Sequence, residues 1–232
     1  MPASIRTFTD TTADPKVRGY LHTPETPNGI GLVLSHGAGS NAQAPLLVAL
    51  AETFSAAGFT VLRCDLPYRQ TRSFGPPGPG DAARDRAGLQ NALAALRKII
   101  SGRLILGGHS YGGRQSSMLC AELAKKSPEE AANLPAALLL LSYPLHPPRK
   151  PEQQRTQHLP DLRTPTLFVH GTRDPFGSIA EVEQAIKMIP AKTKLLPVEG
   201  AGHDLGFKGK AKQEGLPKLI LSELTKFLEL SS

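Results

Sequence analysis

A serine in a strand–turn–helix context is the group in this sequence best suited to nucleophilic chemistry. Residues 104–106 are apolar and predict a buried strand, and residues 114–125 have the pattern of a helix. Between them lies Gly-His-Ser-Tyr-Gly, in which Gly108 and Gly112 flank Ser110. Such a turn holds the hydroxyl up at a sheet edge, and it needs glycines because strand and helix pass close together. The alternative is a glycine-rich turn that carries a serine by chance.

A serine hydroxyl becomes a nucleophile when a histidine accepts its proton and a carboxylate orients that histidine. For the histidine we predict His203, in a glycine-rich loop after the last predicted strand. For the carboxylate we predict Asp174, just beyond another strand end, although an Asp-Pro pair also commonly forms a turn. Asp161 lies in a polar stretch between strands, and Asp204 is too close to His203 along the chain to reach its ring. Ser110, Asp174 and His203 are predicted to act as a unit because each follows a strand end.

Acyl transfer through a serine also needs backbone N–H groups that bind the negative oxygen of the tetrahedral intermediate. The N–H of Tyr111, directly after the serine, is the first predicted donor. The second predicted donor is the N–H of Ala38, in the glycine-rich loop of residues 36–39 that follows an early strand. The alternatives for this segment are a plain glycine-rich turn or a phosphate-binding loop. The segment lacks the third glycine or following lysine of nucleotide-binding signatures.

Short apolar segments alternate with helix-like ones along most of the chain. Residues 5–8 and 17–21 predict an antiparallel hairpin at a sheet edge, with a turn at Asp14-Pro15. The other predicted strands are residues 30–34, 59–64, 104–106, 136–141, 166–169 and 193–198, and the predicted helices are residues 44–57, 81–100, 114–125, 179–189 and 216–230. This alternation predicts one α/β domain over residues 1–232, with a mostly parallel sheet covered by helices on both faces. Ligands of such sheets bind at the carboxyl ends of the strands, where the predicted catalytic groups lie.

Composition and charge exclude several classes of protein. The chain has 232 residues, 40% of them hydrophobic and 20% charged, and a formal net charge of +7. Lys and Arg are scattered apart from a small cluster at Lys208, Lys210 and Lys212, and there is no Trp, so we expect no nucleic-acid partner. No apolar run is long enough to cross a membrane, and the N-terminus lacks the apolar core of a signal peptide. We therefore expect a cytoplasmic protein that does not bind membranes.

Cysteine and histidine spacing gives no sign of a metal site. Cys64 falls in a predicted strand and Cys120 in a predicted helix, where both are expected to be small buried hydrophobic residues. Several histidines sit at strand ends, but no paired-cysteine or H-E-x-x-H spacing joins them. We expect no metal and no other cofactor.

Five motifs give the chain a resemblance to a known superfamily. They are LSHGAGS (34–40), GGHSYGG (107–113), SYPLHPP (142–148), HLPDLR (158–163) and HGTRDPFG (170–177). With them the chain resembles the α/β-hydrolase superfamily over essentially its whole length. More narrowly, it looks like the small Tex30/KANSL3-type hydrolase-like family, which is related to dienelactone hydrolases. The resemblance implies the α/β-hydrolase fold and the usual triad on Ser110, Asp174 and His203, in that chain order, but no particular substrate.

The region where larger hydrolases insert a helical lid is short in this chain. Only residues 142–165 separate the two strands concerned, so we expect no large cap domain and an open site roofed by residues 69–80 and 147–163. An open, partly basic site favours a small or anionic ester over a long lipid. The candidate substrate contacts are His36, Tyr68, Arg69, His146 and Arg155.

The predicted reaction is carboxylesterase-like hydrolysis of a small ester or thioester through an acyl-Ser110 intermediate. The alternative is a hydrolase-like scaffold that acts as a protein-interaction module, because one eukaryotic relative in the family serves in a chromatin-modifying complex. Thioester cleavage or perhydrolysis on the same triad also stays open, because fold and triad do not determine the substrate. The oligomeric state is left without a prediction.

Overall fold

The computed structural model describes residues 3–127, 133–207 and 213–229, which contain an eight-stranded sheet. The strands are β1 (Ser4–Asp10), β2 (Val17–Thr23), β3 (Gly31–Ser35), β4 (Thr60–Cys64), β5 (Leu104–His109), β6 (Ala137–Leu141), β7 (Thr166–Gly171) and β8 (Thr193–Val198). Their spatial order is β1-β2-β4-β3-β5-β6-β7-β8. Strand β2 is antiparallel to β1 and β4, and every other neighbouring pair is parallel. The mostly parallel sheet and the edge hairpin are confirmed.

Helices cover both faces of this sheet. They are α1 (Pro45–Ala56), α2 (Pro67–Thr71), α3 (Asp81–Arg97), α4 (Tyr111–Leu123), α5 (Ile179–Ile186) and α6 (Leu216–Phe227). Buried side chains of α3, α4 and α5 share one core, and those of α1 and α6 share the other. No helix among the described residues is both long and apolar enough to cross a membrane.

Strands β3, β4, β6 and β7 are buried at every position because both faces of the sheet are covered. In β6, Leu138 and Leu140 pack into the core beneath α3 and α4, whereas Leu139 and Leu141 pack into the core beneath α1 and α6. All four side chains are fully buried. The two cores hold the carboxyl ends of the parallel strands in a fixed arrangement, and the functional loops leave from that edge.

Several predicted boundaries need correction. Strand β5 continues past residue 106 to His109, and α4 already begins at Tyr111, because the strand feeds directly into the turn at Ser110. Residues 69–80 are not a loop throughout, since α2 starts at Pro67, a residue suited to the first turn of a helix, and ends at Thr71. The segment of residues 147–163 contains a short 3₁₀ turn.

Two further predictions concern the cysteines and the lysine cluster. Cys64 and Cys120 are buried free thiols, as expected. The cluster at Lys208, Lys210 and Lys212 lies outside the described residues.

Two buried histidines, His22 and His36, and the partly buried His158 are held in the neutral form. Burial and the charge of Arg63, whose Nε donates to His22 Nε2 at 2.9 Å, lower the pKa of His22 to about 4. Burial outweighs a bond to the Gly37 carbonyl and lowers the pKa of His36 to about 4. Burial, with charges that include Arg114, lowers the pKa of His158 to about 4 as well. Each of these pKa values lies well below the ordinary histidine value of 6.5.

We therefore expect the protein to lose stability as the pH falls from 6.5 towards 4. In that window the unfolded chain protonates these histidines and the folded chain does not, so unfolding takes up protons and becomes more favourable. The melting temperature should decrease by about 5 °C or more between pH 7 and pH 5, measured by calorimetry. His22→Gln should flatten this dependence. A melting temperature that is unchanged, or that rises, at pH 5 would contradict the assignment of neutral histidines.

Candidate active site

Ser110 lies in a strained turn between β5 and α4. Its backbone has φ 52° and ψ −115°, a conformation that residues other than glycine seldom adopt. The turn is fixed from both sides, since Ser110 N–H donates to Leu141 O at 2.8 Å and Arg114 N–H donates to Ser110 O at 2.9 Å. The strain is thus held by bonds to the neighbouring strand β6 and to the first turn of α4.

The glycines around Ser110 are required by close packing. A Cβ on Gly108 would lie 2.5 Å from both Gly113 N and Ser35 Oγ. A Cβ on Gly112 would lie 2.5 Å from Ser35 Oγ and 2.6 Å from His36 O. The end of β3 therefore packs directly against the serine turn, which brings the loop after β3 beside Ser110.

Ser110, His203 and Asp174 form a continuous chain of hydrogen bonds. The Ser110 Oγ atom is 2.8 Å from His203 Nε2, and His203 Nδ1 is 2.8 Å from Asp174 Oδ2 and 3.0 Å from Oδ1. A carboxylate can only accept, so Nδ1 donates to Asp174 and Nε2 is left to accept the Ser110 proton. This tautomer is the one that a general base needs.

The loops that carry Asp174 and His203 are bound to each other. Arg173 N–H donates to Ala201 O at 2.9 Å. A Cβ on Gly171 would lie 2.3 Å from Ala201 O and 2.6 Å from Gly202 O, so only glycine allows the loops after β7 and β8 to run this close together. These backbone contacts between the two loops thereby set the distance between Asp174 and His203.

Asp174 is buried and ionised. Burial acts to raise the pKa of Asp174, but the hydrogen bond and charge of His203 act against it. Phe176 N–H also donates to Asp174 Oδ1 at 2.9 Å, and His170 Nε2 lies 3.7 Å from Oδ2. Together these partners hold the pKa of Asp174 below its ordinary value. The carboxylate can therefore orient His203 throughout the neutral pH range.

Two residues that the sequence analysis did not select hold His203 in place. The Phe176 ring packs on the imidazole with centroids 4.2 Å apart. His109 Nε2 donates to the backbone carbonyl of His203 at 2.8 Å. Both occur inside quoted motifs, His109 as the variable residue before Ser110 and Phe176 two residues after Asp174, but neither has a residue type that reveals this role.

The loop after β3 places its peptide groups beside Ser110. Gly37 O accepts from His36 Nδ1 at 2.9 Å and from the Tyr68 hydroxyl at 3.3 Å. The C=O and N–H of a trans peptide point in opposite directions, so the Ala38 N–H points away from His36 and Tyr68. A Cβ on Gly37 would lie 3.4 Å from Ser110 Cβ, which shows how near this peptide is to the serine. Tyr111 is the first residue of α4, where N–H groups have no acceptor within the helix.

Three of the five candidate substrate contacts are instead bound to backbone groups near this loop. His36 lines the cavity beside Ser110, but its Nε2 accepts from Leu66 N–H and its Nδ1 donates to Gly37 O. The Tyr68 hydroxyl donates to Ala38 O at 2.7 Å. Arg69 Nε donates to Ser40 O at 2.7 Å, and its Nη2 donates to Gly75 O at 2.7 Å. Tyr68 and Arg69 are buried and do not line the cavity, so direct substrate contact by these two is not supported.

The other two candidates lie away from the cavity. His146 Nδ1 donates to Pro147 O at 2.8 Å, and its Nε2 is 3.5 Å from a carboxylate oxygen of Glu181. Arg155 donates to Pro144 O at 3.2 Å. Neither His146 nor Arg155 lines the cavity beside Ser110, because the chain after β6 turns these side chains toward its own backbone.

A cavity of about 310 Å³ opens beside Ser110 and His203. Its walls are mainly apolar: Ala38, Ala44, Pro45, Leu46, Leu47, Phe176 and Phe207. Asp204 carries the one formal charge among the described lining residues, and none of these is Lys or Arg. The expectation of a partly basic site therefore fails for the described lining. Residues 69–80 and 147–163 also do not form the roof, which comes from the loop after β3 and from α1.

The histidines at strand ends are all engaged with nearby groups. His170 Nε2 donates to Gly177 O at 2.8 Å, and His36, His109 and His203 make the bonds given above. Within the described parts of the chain, no three or more His, Cys, Asp or Glu side chains are grouped so that they could hold a metal ion. The hydrogen-bond chain of Asp174, His203 and Ser110 is itself arranged for proton transfer and nucleophilic attack by Ser110.

Comparison with known proteins agrees with this geometry. Residues 29–226 match the family model described as "Alpha/beta hydrolase domain". The chain belongs to this alpha/beta hydrolase family. A dienelactone hydrolase from Anabaena variabilis is 22% identical, with 97% of each chain covered and a TM-score of 0.72. XC6422 from Xanthomonas campestris, described as a serine hydrolase without a lid, is 16% identical, with 100% of this chain and 99% of that chain covered and a TM-score of 0.74.

A curated relative matches only locally. Polyketide synthase ThaQ from Burkholderia thailandensis is 50% identical over 48 residues, which are 21% of this chain and 2% of the synthase. The chain thus spans a very small part of that protein.

Family and fold together confirm the predicted architecture. The described residues form an alpha/beta hydrolase fold with no cap domain between β6 and β7. Membership of this family supports hydrolase activity. The narrower Tex30/KANSL3-type resemblance stays a prediction.

Proposed function

We propose that this alpha/beta hydrolase is a serine-dependent esterase that cleaves small carboxylic esters or thioesters. The observation that carries the proposal is the hydrogen-bond chain from Asp174 through His203 to Ser110, with both links at 2.8 Å, beside an apolar cavity. A dienelactone hydrolase is among the structural neighbours, and a lactone is a cyclic ester. A protein used only as an interaction scaffold would have no need of these three side chains joined by hydrogen bonds.

In the first half of the reaction, Ser110 Oγ attacks the carbonyl carbon of the substrate. A new C–O bond forms, the carbonyl electron pair moves to oxygen, and His203 Nε2 takes the Ser110 proton. Asp174 stabilises the imidazolium that results. The N–H groups of Ala38 and Tyr111 bind the oxyanion. The intermediate then expels the alcohol or thiol, which leaves with the proton from His203, and acyl-Ser110 remains.

In the second half, water completes the cycle. His203 Nε2 takes a proton from water as its oxygen attacks the acyl carbon, and the same two N–H groups bind the second oxyanion. Collapse of this intermediate breaks the bond to Ser110 Oγ, which regains its proton from His203 as the acid product leaves. Every proton transfer in this scheme uses the chain's own side chains and water.

The cavity lining favours acyl groups without a negative charge. Its described walls are mainly apolar and include no Lys or Arg, so a negatively charged acyl chain would lose hydration there without a cationic partner from the described lining. We expect kcat/KM for p-nitrophenyl butyrate to exceed that for the p-nitrophenyl half-ester of succinate by about tenfold or more. Equal rates for the two esters in the wild type would contradict the inferred substrate class.

Initial rates with short acyl esters and thioesters test the proposed function. We expect saturable hydrolysis of p-nitrophenyl acetate and butyrate, well above that of a heat-denatured sample. Comparison of acetyl oxygen esters with acetyl thioesters separates the two substrate classes. A folded protein that hydrolyses neither class faster than the buffer would contradict the proposal.

A further inference from the structure

We propose that Asp85 and Tyr68 are positioning residues that join the two oxyanion donors into one hydrogen-bonded unit. The catalytic part of this inference rests on the proposed function, because Ala38 and Tyr111 are donors only if Ser110 performs acyl transfer. Neither Asp85 nor Tyr68 lines the cavity. They would act through the peptide groups of Ala38 and Tyr111, which lie beside Ser110.

Asp85 lies at the centre of this unit. It is fully buried on the face of α3 that also carries Leu89 and Leu93. Its Oδ1 accepts from Tyr68 N–H at 3.1 Å, and its Oδ2 accepts from the Tyr111 hydroxyl at 2.7 Å. A buried carboxylate is costly unless it is well bonded, so a carboxylate at this apolar position needs both partners.

Each partner of Asp85 controls one oxyanion donor. The Tyr68 hydroxyl donates to Ala38 O at 2.7 Å and lies 3.3 Å from Gly37 O, so it holds the peptide groups on either side of Ala38. Tyr111 supplies the other donor from its own backbone, while its side chain is anchored on Asp85. The Tyr68 and Tyr111 rings also pack edge to face, with centroids 5.9 Å apart and planes at 90°.

Arg69 also binds this loop, without lining the cavity. Its Nη2 donates to Ala38 O at 3.3 Å and its Nε donates to Ser40 O at 2.7 Å. The loop carbonyls are thus held by Tyr68 and Arg69. The Gly37–Ala38 peptide itself is held through Gly37 O, which accepts from His36 Nδ1 at 2.9 Å and from Ser40 N–H at 3.1 Å and lies 3.3 Å from the Tyr68 hydroxyl. Because this peptide cannot turn without losing these contacts, the Ala38 N–H is fixed before a substrate arrives.

Fixed donors matter most when charge develops on the substrate oxygen. Tyr68→Phe keeps the ring and removes only the hydroxyl, so the protein should fold. We expect kcat to decrease by about tenfold while KM changes by less than about twofold, because the donors bind the oxyanion more strongly than the ground-state carbonyl.

Tyr111→Phe tests the other half of the unit. It keeps the backbone N–H and removes the bond to Asp85, and we expect a decrease in kcat of similar size. Tyr68→Phe breaks the unit at the Ala38 carbonyl and keeps the Tyr68 N–H bond to Asp85, whereas Tyr111→Phe breaks it at Asp85. If these bonds form one continuous unit, the double variant should lose clearly less than the product of the two single losses. Independent, multiplicative losses would contradict a single unit.

Tyr143→Phe is the matched control. Tyr143 is also buried, and its hydroxyl donates to a backbone carbonyl, that of Arg155, at 2.6 Å. It does not line the cavity. Tyr143→Phe should therefore lower the melting temperature about as much as Tyr68→Phe does, with kcat unchanged.

Hydrogen exchange supplies a readout that does not depend on activity. Amides of residues 36–40 should exchange faster in Tyr68→Phe than in the wild type, and at wild-type rates in Tyr143→Phe. Unchanged exchange in Tyr68→Phe would overturn the inference even if the protein proved inactive. Faster exchange with unchanged kcat in an active enzyme would overturn the catalytic part. A wild type without esterase activity would overturn the proposed function and, with it, the catalytic part, while exchange still tests the unit.

Discussion

Replacing Ser110 by alanine is expected to lower kcat for ester hydrolysis by at least about 10⁴-fold. The substitution removes the only atom of the serine side chain that can bond to the acyl carbon, and it leaves the turn's backbone bonds to Leu141 and Arg114 intact. Circular dichroism and thermal unfolding should match the wild type. A variant that retains more than about one per cent of wild-type kcat would show that another group is the nucleophile.

Helix α4, which follows Ser110 directly, contains a second serine that offers a matched control for this substitution. Ser117 Oγ lies 2.8 Å from His158 Nε2, a serine–histidine contact as short as that of Ser110. Ser117 is fully buried and does not line the cavity. Ser117→Ala should therefore leave kcat within about twofold of the wild type. A large loss in this variant would mean that the serine substitutions act through the structure of α4.

Replacing Asp174 by asparagine is expected to lower kcat/KM by about 10³- to 10⁴-fold at neutral pH. An asparagine amide can donate to His203 Nδ1, which favours the tautomer with the proton on Nε2, and this nitrogen then cannot accept the Ser110 proton. The loss in stability should be modest, because the side chain keeps its size and the carbonyl can still accept from Phe176 N–H.

The pH profile separates this role from a purely structural one. The pKa of Asp174 is held below its ordinary value of 3.8, so in the wild type the carboxylate protonates only at a pH lower than that. Protonation of Asp174 should accordingly not limit activity at neutral or mildly acidic pH. Asp161, the rival acid in the sequence, pairs with Lys125 at 2.6 Å on the surface, and Asp161→Asn should leave kcat/KM unchanged. Equal losses in the two variants would contradict the role of Asp174.

Local sequence was sufficient to predict the elements of the candidate triad. Ser110 has a diagnostic turn with glycines that the packing requires, and Asp174 and His203 follow strands whose apolar runs are long enough to recognise. Parallel strands bring their carboxyl ends to one edge, so three strand-end side chains can be expected to meet. The order of the three residues along the chain and the pattern of strands therefore carried most of the information about the candidate triad.

The surroundings of the triad could not be predicted in the same way. Arg69 looks like a substrate contact because it is charged and follows a strand, but its partners are backbone carbonyls, which residue types do not reveal. The cavity walls join residues from α1 with Phe176 and Phe207, which are distant in sequence. Asp85 did leave a signal, since a carboxylate four residues before Leu89 on an apolar helix face needs a buried partner.

Labelling with a fluorophosphonate tests the central claim most directly. The reagent bonds its phosphorus to an activated serine oxygen, releases fluoride, and needs no knowledge of the natural substrate. We predict one adduct by intact mass on the wild type, located by peptide mapping at Ser110, and none on Ser110→Ala. A folded wild type that takes up no adduct, or a Ser110→Ala variant that is labelled equally, would contradict an activated Ser110, and the first of these outcomes would favour the interaction-module alternative.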